Sequence, residues 1–158
     1  MTKDSAGIVM FRRRASIEVL LVHPGGPFFA RRDDGVWSIP KGLPNTDEDL
    51  LSAAKREFRE ETGISAPPSG YVELGMVQQT NKRVHAWAFE GDFDPTNLIS
   101  NTFELEWPPR SGQRRSFPEV DRADFFTLEA AQPKIIAAQM ELLERLAERL
   151  DPAGRPLA

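Results

Sequence analysis

Residues 56–63, Arg-Glu-Phe-Arg-Glu-Glu-Thr-Gly, place three glutamates and two arginines in eight positions. On a helix, at about 100° per residue, Glu57, Glu60 and Glu61 stand at i, i+3 and i+4 and share one face. Like charges so placed repel by roughly a few tenths of a kcal/mol per exposed pair. They also crowd the last turn, where the helix dipole disfavours anions. Arg56 can reach Glu60 at i+4, and Arg59 relieves some repulsion, but neither cancels the arrangement. A solvated helix face would explain the composition alone. A hard divalent cation, Mg²⁺ or Mn²⁺, explains the grouping as well, because clustered carboxylate oxygens with waters and substrate phosphates form its usual ligand set. Zinc is a poor match: no pair of histidines lies nearby, and the chain has no cysteine.

The elements that must position this face can be traced along the chain. From Glu48 to Thr62 there is no Pro or Gly, the "TDED" residues offer capping groups, and Gly63 sits where a left-handed stop residue belongs. The spacing predicts a helix over 48–62, with Leu51, Ala54 and Phe58 as its packing stripe. The apolar runs 6–11 and 17–23 read as a β-hairpin, and 71–79 and 83–91 as a second hairpin around "TNK". A last strand is expected at 124–128 and an amphipathic helix from Pro133 to Leu150. Segments 23–29 and 31–42, rich in Gly, Pro and Asp, read as loops with brief extended pieces. The stretch 92–121 reads as a long, ordered functional loop. Strands, a helix, more strands and a terminal helix imply a mixed sheet sandwiched by helices, class α/β or α+β.

At 158 residues the chain suits one domain, expected over 1–150, with a loose tail at 151–158. Its net charge of −4 gives no basis for binding long nucleic acid. No apolar run approaches the ~20 residues that span a bilayer, so no membrane association is expected. With no signal peptide and no cysteine, the composition fits the cytoplasm. A homodimer formed through an edge strand or loop is compatible with the pattern.

Reading from Gly42, the chain sets Gly, five residues, Glu48, seven residues and then Arg56-Glu57-Phe58-Arg59-Glu60-Glu61-Thr62-Gly63-Ile64. This resembles the signature of the Nudix hydrolases at all seven fixed positions and both hydrophobic ones. With each fixed residue at ~5–7% frequency, a chance match is on the order of one in a billion per starting position. The match covers residues 42–64, and beyond it the likeness is one of layout. The resemblance implies a Nudix-type α/β/α sandwich and Mg²⁺-dependent hydrolysis of a pyrophosphate bond, with Mn²⁺ able to substitute. By motif position it implies Glu57, Glu60 and Glu61 as metal ligands, and Glu57 or Glu60 as the group that orients or deprotonates the attacking water. It also implies Arg56 as the carboxylates' orienting partner, Gly42 as a backbone ligand, and Glu48 as a structural partner or outer ligand.

Such proteins often draw a further acid from a later loop; Glu119 is the choice here, ahead of Glu104 and Glu106. Lys41, in "WSIPKG", is placed to meet a substrate phosphate, and Lys82 and Arg83 could meet distal ones, as could Arg110, Arg114 and Arg115. Trp37 reads as core, and neither His23 nor His85 is given a role. The expected partner is a small, phosphate-rich molecule. The Pro-Lys-Gly before the signature is similar to members acting on nucleoside triphosphates or dinucleoside polyphosphates. ADP-ribose-like or inositol pyrophosphate substrates, or a non-catalytic nucleotide-sensing domain, are the alternatives.

Overall fold

The computed structural model describes residues 2–150; the tail expected over 151–158 lies outside them. β1 (Lys3–Arg13) is buried on both faces, as a central strand must be, and so reads as a continuous apolar run rather than an alternating one. β2 (Ile17–Pro24) returns beside it as a hairpin. After β3 (Lys41–Gly42) and α1 (Leu50–Thr62) comes the second hairpin, β4 (Val72–Gln79) and β5 (Lys82–Glu90). β5 lies parallel to β1, and β8 (Val120–Thr127) closes the other edge against β2, giving a mixed sheet of order β4-β5-β1-β2-β8.

Alternate side chains of the sheet feed two cores. On one face Ile8, Met10 and Leu20 pack against Ala53, Ala54 and Phe58 of α1. On the other, Val9, Phe11, Leu21 and Val84 pack against Ile135, Leu142 and Leu146 from the C-terminal helices. Two layers of helix around one sheet follow from this division. Among the described residues no helix is long and apolar enough to cross a membrane.

One irregularity of the sheet shapes the site. β1 pairs with β2 only from Phe11 to Arg13. Toward its start it pairs with β3 instead, Ala6 opposite Gly42 and Gly7 opposite Lys41. The strip Ser38–Gly42 is thus inlaid where β1 and β2 diverge, with Ser38 bridged to Val22 on the far side. Gly7 permits this, because a Cβ there would lie 2.7 Å from the Pro40 carbonyl oxygen and 2.8 Å from Lys41 Cβ.

Three expectations change. α1 starts at Leu50, not Glu48, because Asp49 is the N-cap, its side chain accepting from the Ser52 N–H at 3.1 Å. The terminal helix is broken into α2 (Leu128–Lys134) and α3 (Met140–Arg149). Ile135 turns extended and Ile136 N–H donates to the Trp37 carbonyl at 2.8 Å, so tertiary pairing overrides helical spacing. The expected loop 92–121 holds a 3₁₀ turn at Pro95–Asn97 and a hairpin, β6 (Thr102–Glu106) with β7 (Arg114–Pro118), before running into β8.

Candidate active site

α1 ends in a left-handed Gly63 (φ 83°) whose N–H donates to the Arg59 carbonyl at 2.7 Å. Two more of its orphan carbonyls are taken by a passing segment: Ile99 N–H donates to Thr62 at 3.1 Å and Asn101 N–H to Glu60 at 2.8 Å. The Asn101 carbonyl in turn accepts from the Glu119 N–H at 2.8 Å. This chain of backbone bonds brings Glu119 against the acidic face of α1, although it lies 58 positions or more beyond those residues in sequence (119 − 61 = 58).

Arg56 organises the carboxylates. Its Nη1 donates to Glu57 at 2.8 Å and Glu60 at 3.0 Å, while Nε and Nη2 hold Glu48 at 3.0 and 2.9 Å. A fourth acceptor, the Leu43 carbonyl, lies 3.0 Å from Nη2, so one guanidinium ties the entry loop to the helix. Glu48 also accepts from the Asn45 N–H at 2.9 Å, which makes it a fastener of that loop. Gly42 backs directly onto Glu57: a Cβ built there would fall well inside contact distance of the whole carboxyl group. The Gly42 carbonyl accepts from Ser5 Oγ at 3.0 Å, in the stretch where Gly42 is paired with Ala6 of β1.

The electrostatics are strained. Burial, with Glu57 and Glu119 adding repulsion, pushes the Glu61 carboxyl up to about 8. Burial first, then Glu60 and Glu119, raise Glu57 against the pull of Arg56. Glu119 is raised by burial and by Glu60. Lys41 is brought down to about 8 by burial and by the neighbouring Lys82 ammonium, against the opposing pull of Glu61 and Glu57. So Lys82 does face Lys41, whereas Arg83 ion-pairs with Asp4 at 2.9 Å, beside His85. Glu104 lies 4.0 Å from Arg114 and Glu106 accepts from the Arg110 N–H at 3.0 Å, so both work within the β6–β7 hairpin. Arg115 is exposed on the same hairpin.

Beside the carboxylates opens a cavity of about 350 Å³, walled by Phe29, Val36, Ile39 and Ile136 and reached by Lys41, Glu61 and Glu119. It lies beside the Ser38–Gly42 strip, between the end of β2 and the start of β8. Arg32 and Ser38 also line it. Two supports sit behind it. Buried Gln139 accepts from the Ile39 N–H at 3.0 Å and donates to Ser38 Oγ and Gln79 Oε1, both at 3.0 Å. Buried His23 lies 2.8 Å from Asp121 and 2.6 Å from the Arg32 carbonyl, edge-on to Trp37, which is core. The sequence reading missed Arg32 and Gln139. A glutamine inside an otherwise apolar helical stripe was the available signal for the second; the first had none.

A family model described as the NUDIX domain matches residues 1–146. The chain belongs to the Nudix family. Among its relatives is the 8-oxo-(d)GTP phosphatase of Mycolicibacterium smegmatis, 38% identical over 124 residues, covering 68% of this chain and 35% of that protein. The phosphatase NudJ of Escherichia coli K12 is 33% identical over 101 residues, covering 61% and 57%. This Nudix domain therefore spans less than two thirds of the length of those relatives. A crystal structure of a Caenorhabditis elegans Ap4A hydrolase shares the fold, with TM-score 0.62 and 23% identity over 93% of this chain and 96% of that one.

The donor set fits a hard divalent cation. Four carboxylates stand near enough to repel one another beside the Gly42 carbonyl, and Arg56 and Lys41 leave the acids incompletely neutralised. Among the described residues no three His, Asp or Glu side chains are grouped to hold a metal as they stand; Glu57 and Glu60 are both turned onto Arg56. Glu57, Glu60, Glu61, Glu119 and the Gly42 carbonyl are the groups that would hold the ion.

A pH prediction follows for the metal-free protein. Glu61 ionises at its ordinary 4.5 when unfolded but near 8 when folded, so folding loses stability as pH rises through that window. Lys41 acts oppositely: its penalty is full below about 8 and is relieved toward its ordinary 10.5. Thermal unfolding without metal should show falling stability from about pH 5 to a minimum near pH 8. Added Mg²⁺ should raise Tm most at that minimum; a Tm that climbs steadily across the window, or ignores Mg²⁺, would contradict the assigned burial.

Proposed function

We propose that this protein hydrolyses a pyrophosphate bond in a nucleotide-type substrate, a nucleoside triphosphate or dinucleoside polyphosphate, with Mg²⁺ bound and Mn²⁺ able to substitute. The observation that carries the reading is the meeting of three features: the acidic face of α1 with Glu119, the Lys41–Lys82 ammonium pair, and the mouth of an apolar cavity. Phosphoryl chemistry needs positioning and charge neutralisation more than covalent help. A bound divalent cation neutralises phosphate oxygens and activates coordinated water.

The chain's own groups do the rest. Lys41 and Lys82 hold the phosphate chain beside the carboxylates. Glu57 or Glu60 orients the attacking water and takes its proton, and Arg56 keeps both carboxylates turned toward the site. Apolar walls accept a flat nucleobase, which favours a nucleoside-bearing substrate over an inositol pyrophosphate with its ring of polar groups. The names of the Mycolicibacterium and Caenorhabditis proteins point the same way. Retention of every carboxylate favours catalysis over pure nucleotide sensing.

Metal-dependent release of phosphate or pyrophosphate from a nucleotide panel tests the proposal. Release from at least one triphosphate or dinucleoside polyphosphate, abolished by chelator, is expected. Silence across the panel with both Mg²⁺ and Mn²⁺ would sink it.

A further inference from the structure

The cavity has two chemically different ends. Glu61 and the two charges that act on it, Glu119 and Lys41, form one; elsewhere only Ser38 and Arg32 add polar side chains to an apolar lining. The Ser38 hydroxyl is committed, donating to the Ile39 carbonyl at 2.7 Å and accepting from Gln139 at 3.0 Å. Arg32 is different. It is exposed, and among the described residues no carboxylate pairs with it. Its guanidinium carbon lies 5.6 Å from the centre of the Phe29 ring, on the cavity wall. Its backbone is pinned, because its carbonyl takes the His23 Nε2–H at 2.6 Å and His23 is itself held by Asp121 at 2.8 Å.

An arginine with a pinned backbone and unspent side-chain N–H donors, beside a slot with the Phe29 ring on its wall, can recognise a flat ring by its edge. The guanidinium fork matches two adjacent acceptors. Guanine offers such a pair, N7 and O6, whereas adenine sets an N6 donor next to its N7 acceptor. Resting on the nucleotide reading above, we propose that Arg32 reads the N7/O6 edge of a guanine base held in this cavity, so that guanosine nucleotides are preferred to adenosine nucleotides.

Calorimetric binding of GDP and ADP to the intact protein tests this without requiring turnover. GDP should bind about 10-fold or more tightly than ADP, the usual scale of a bidentate arginine–guanine contact. Arg32→Ala should bring GDP to the ADP level and leave ADP unchanged, with Tm unaltered because the side chain is exposed. With 7-deaza-GDP, which lacks the N7 acceptor, the native protein should lose part of its preference and Arg32→Ala should lose nothing further. Equal binding of GDP and ADP by the native protein would overturn the inference. So would an Arg32→Ala variant that weakens both equally, since that marks a phosphate contact. The two readings fail separately: guanine preference without hydrolysis ends the pyrophosphohydrolase reading and keeps this one, and hydrolysis without base preference does the reverse.

Discussion

Glu57→Gln should lower metal-dependent turnover by about 10²–10⁴-fold, the scale of losing a positioned general base, while leaving the fold intact. Glutamine keeps the volume and an oxygen able to accept from Arg56 at the present 2.8 Å contact. It removes the charge, which a divalent cation needs and which an attacking water's proton would meet. Stability should hold or rise slightly, because burial and the Glu60 and Glu119 carboxylates all disfavour the ionised form of Glu57. Arg56 retains Glu48 and Glu60, so the entry loop stays fastened to α1. Phosphate-release kinetics beside thermal unfolding separate the two effects. Native turnover in the variant would remove Glu57 from the chemistry, and a large fall in Tm would make its role structural. Running Glu60→Gln in parallel divides the labour: the variant whose pH–rate profile loses its acid limb identifies the base.

Gly42→Ala should be nearly as damaging to activity, by about 10²-fold or more if displacement of a positioned group is the cause. The added methyl would occupy the space of the Glu57 carboxyl, and the backbone of Gly42 cannot retreat because it is paired with Ala6 and bonded through Ser5. The atoms that must give way are the end of a flexible side chain, so little stability is lost. Glu57 would swing off Arg56 and away from its neighbours. A variant with native Tm but weakened Mg²⁺ binding and lost turnover is the expected pattern. Unchanged Mg²⁺ affinity with native turnover would show that the carboxyl has room which the present packing denies.

The acidic face of α1 was legible in the sequence because a helix converts spacing into direction. Once Asp49 and Gly63 bound the helix, Glu57, Glu60 and Glu61 had to point the same way. The hairpins were legible for the same reason, their apolar runs and turns being local. What stayed hidden depends on contacts between distant segments. Glu119 was named on the family resemblance and not on spacing, because it reaches the site through backbone bonds from Glu60 to Asn101 and onward, to which its own side chain contributes nothing. The break between α2 and α3 comes from Ile135 pairing with Trp37, almost a hundred positions away (135 − 37 = 98), while the residues around it keep helical spacing. Arg32 sits in a run of charges that resembles any surface loop, and only the packing of β2, β8 and the Ser38–Gly42 strip around it makes its neighbourhood a cavity. Lys82 and Arg83 are adjacent in the sequence, yet strand alternation turns one toward Lys41 and the other toward Asp4.

The strip Ser38–Gly42 has a consequence of another kind. Ser38 and Ile39 wall the cavity, while Lys41 and Gly42 stand at the carboxylates, and both ends are clamped, to Val22 on one side and to Ala6 and Gly7 on the other. At about 3.3 Å per extended residue, the strip works as a ruler of fixed length. Under the proposed function, a ring seated at its first mark fixes, by counting along the phosphate chain, the bond that reaches the last mark. Deleting or adding one residue within it would shift Lys41 and Gly42 against Ser38 and Ile39 and, under the proposed function, change which phosphorus atom is presented for attack and so the products released.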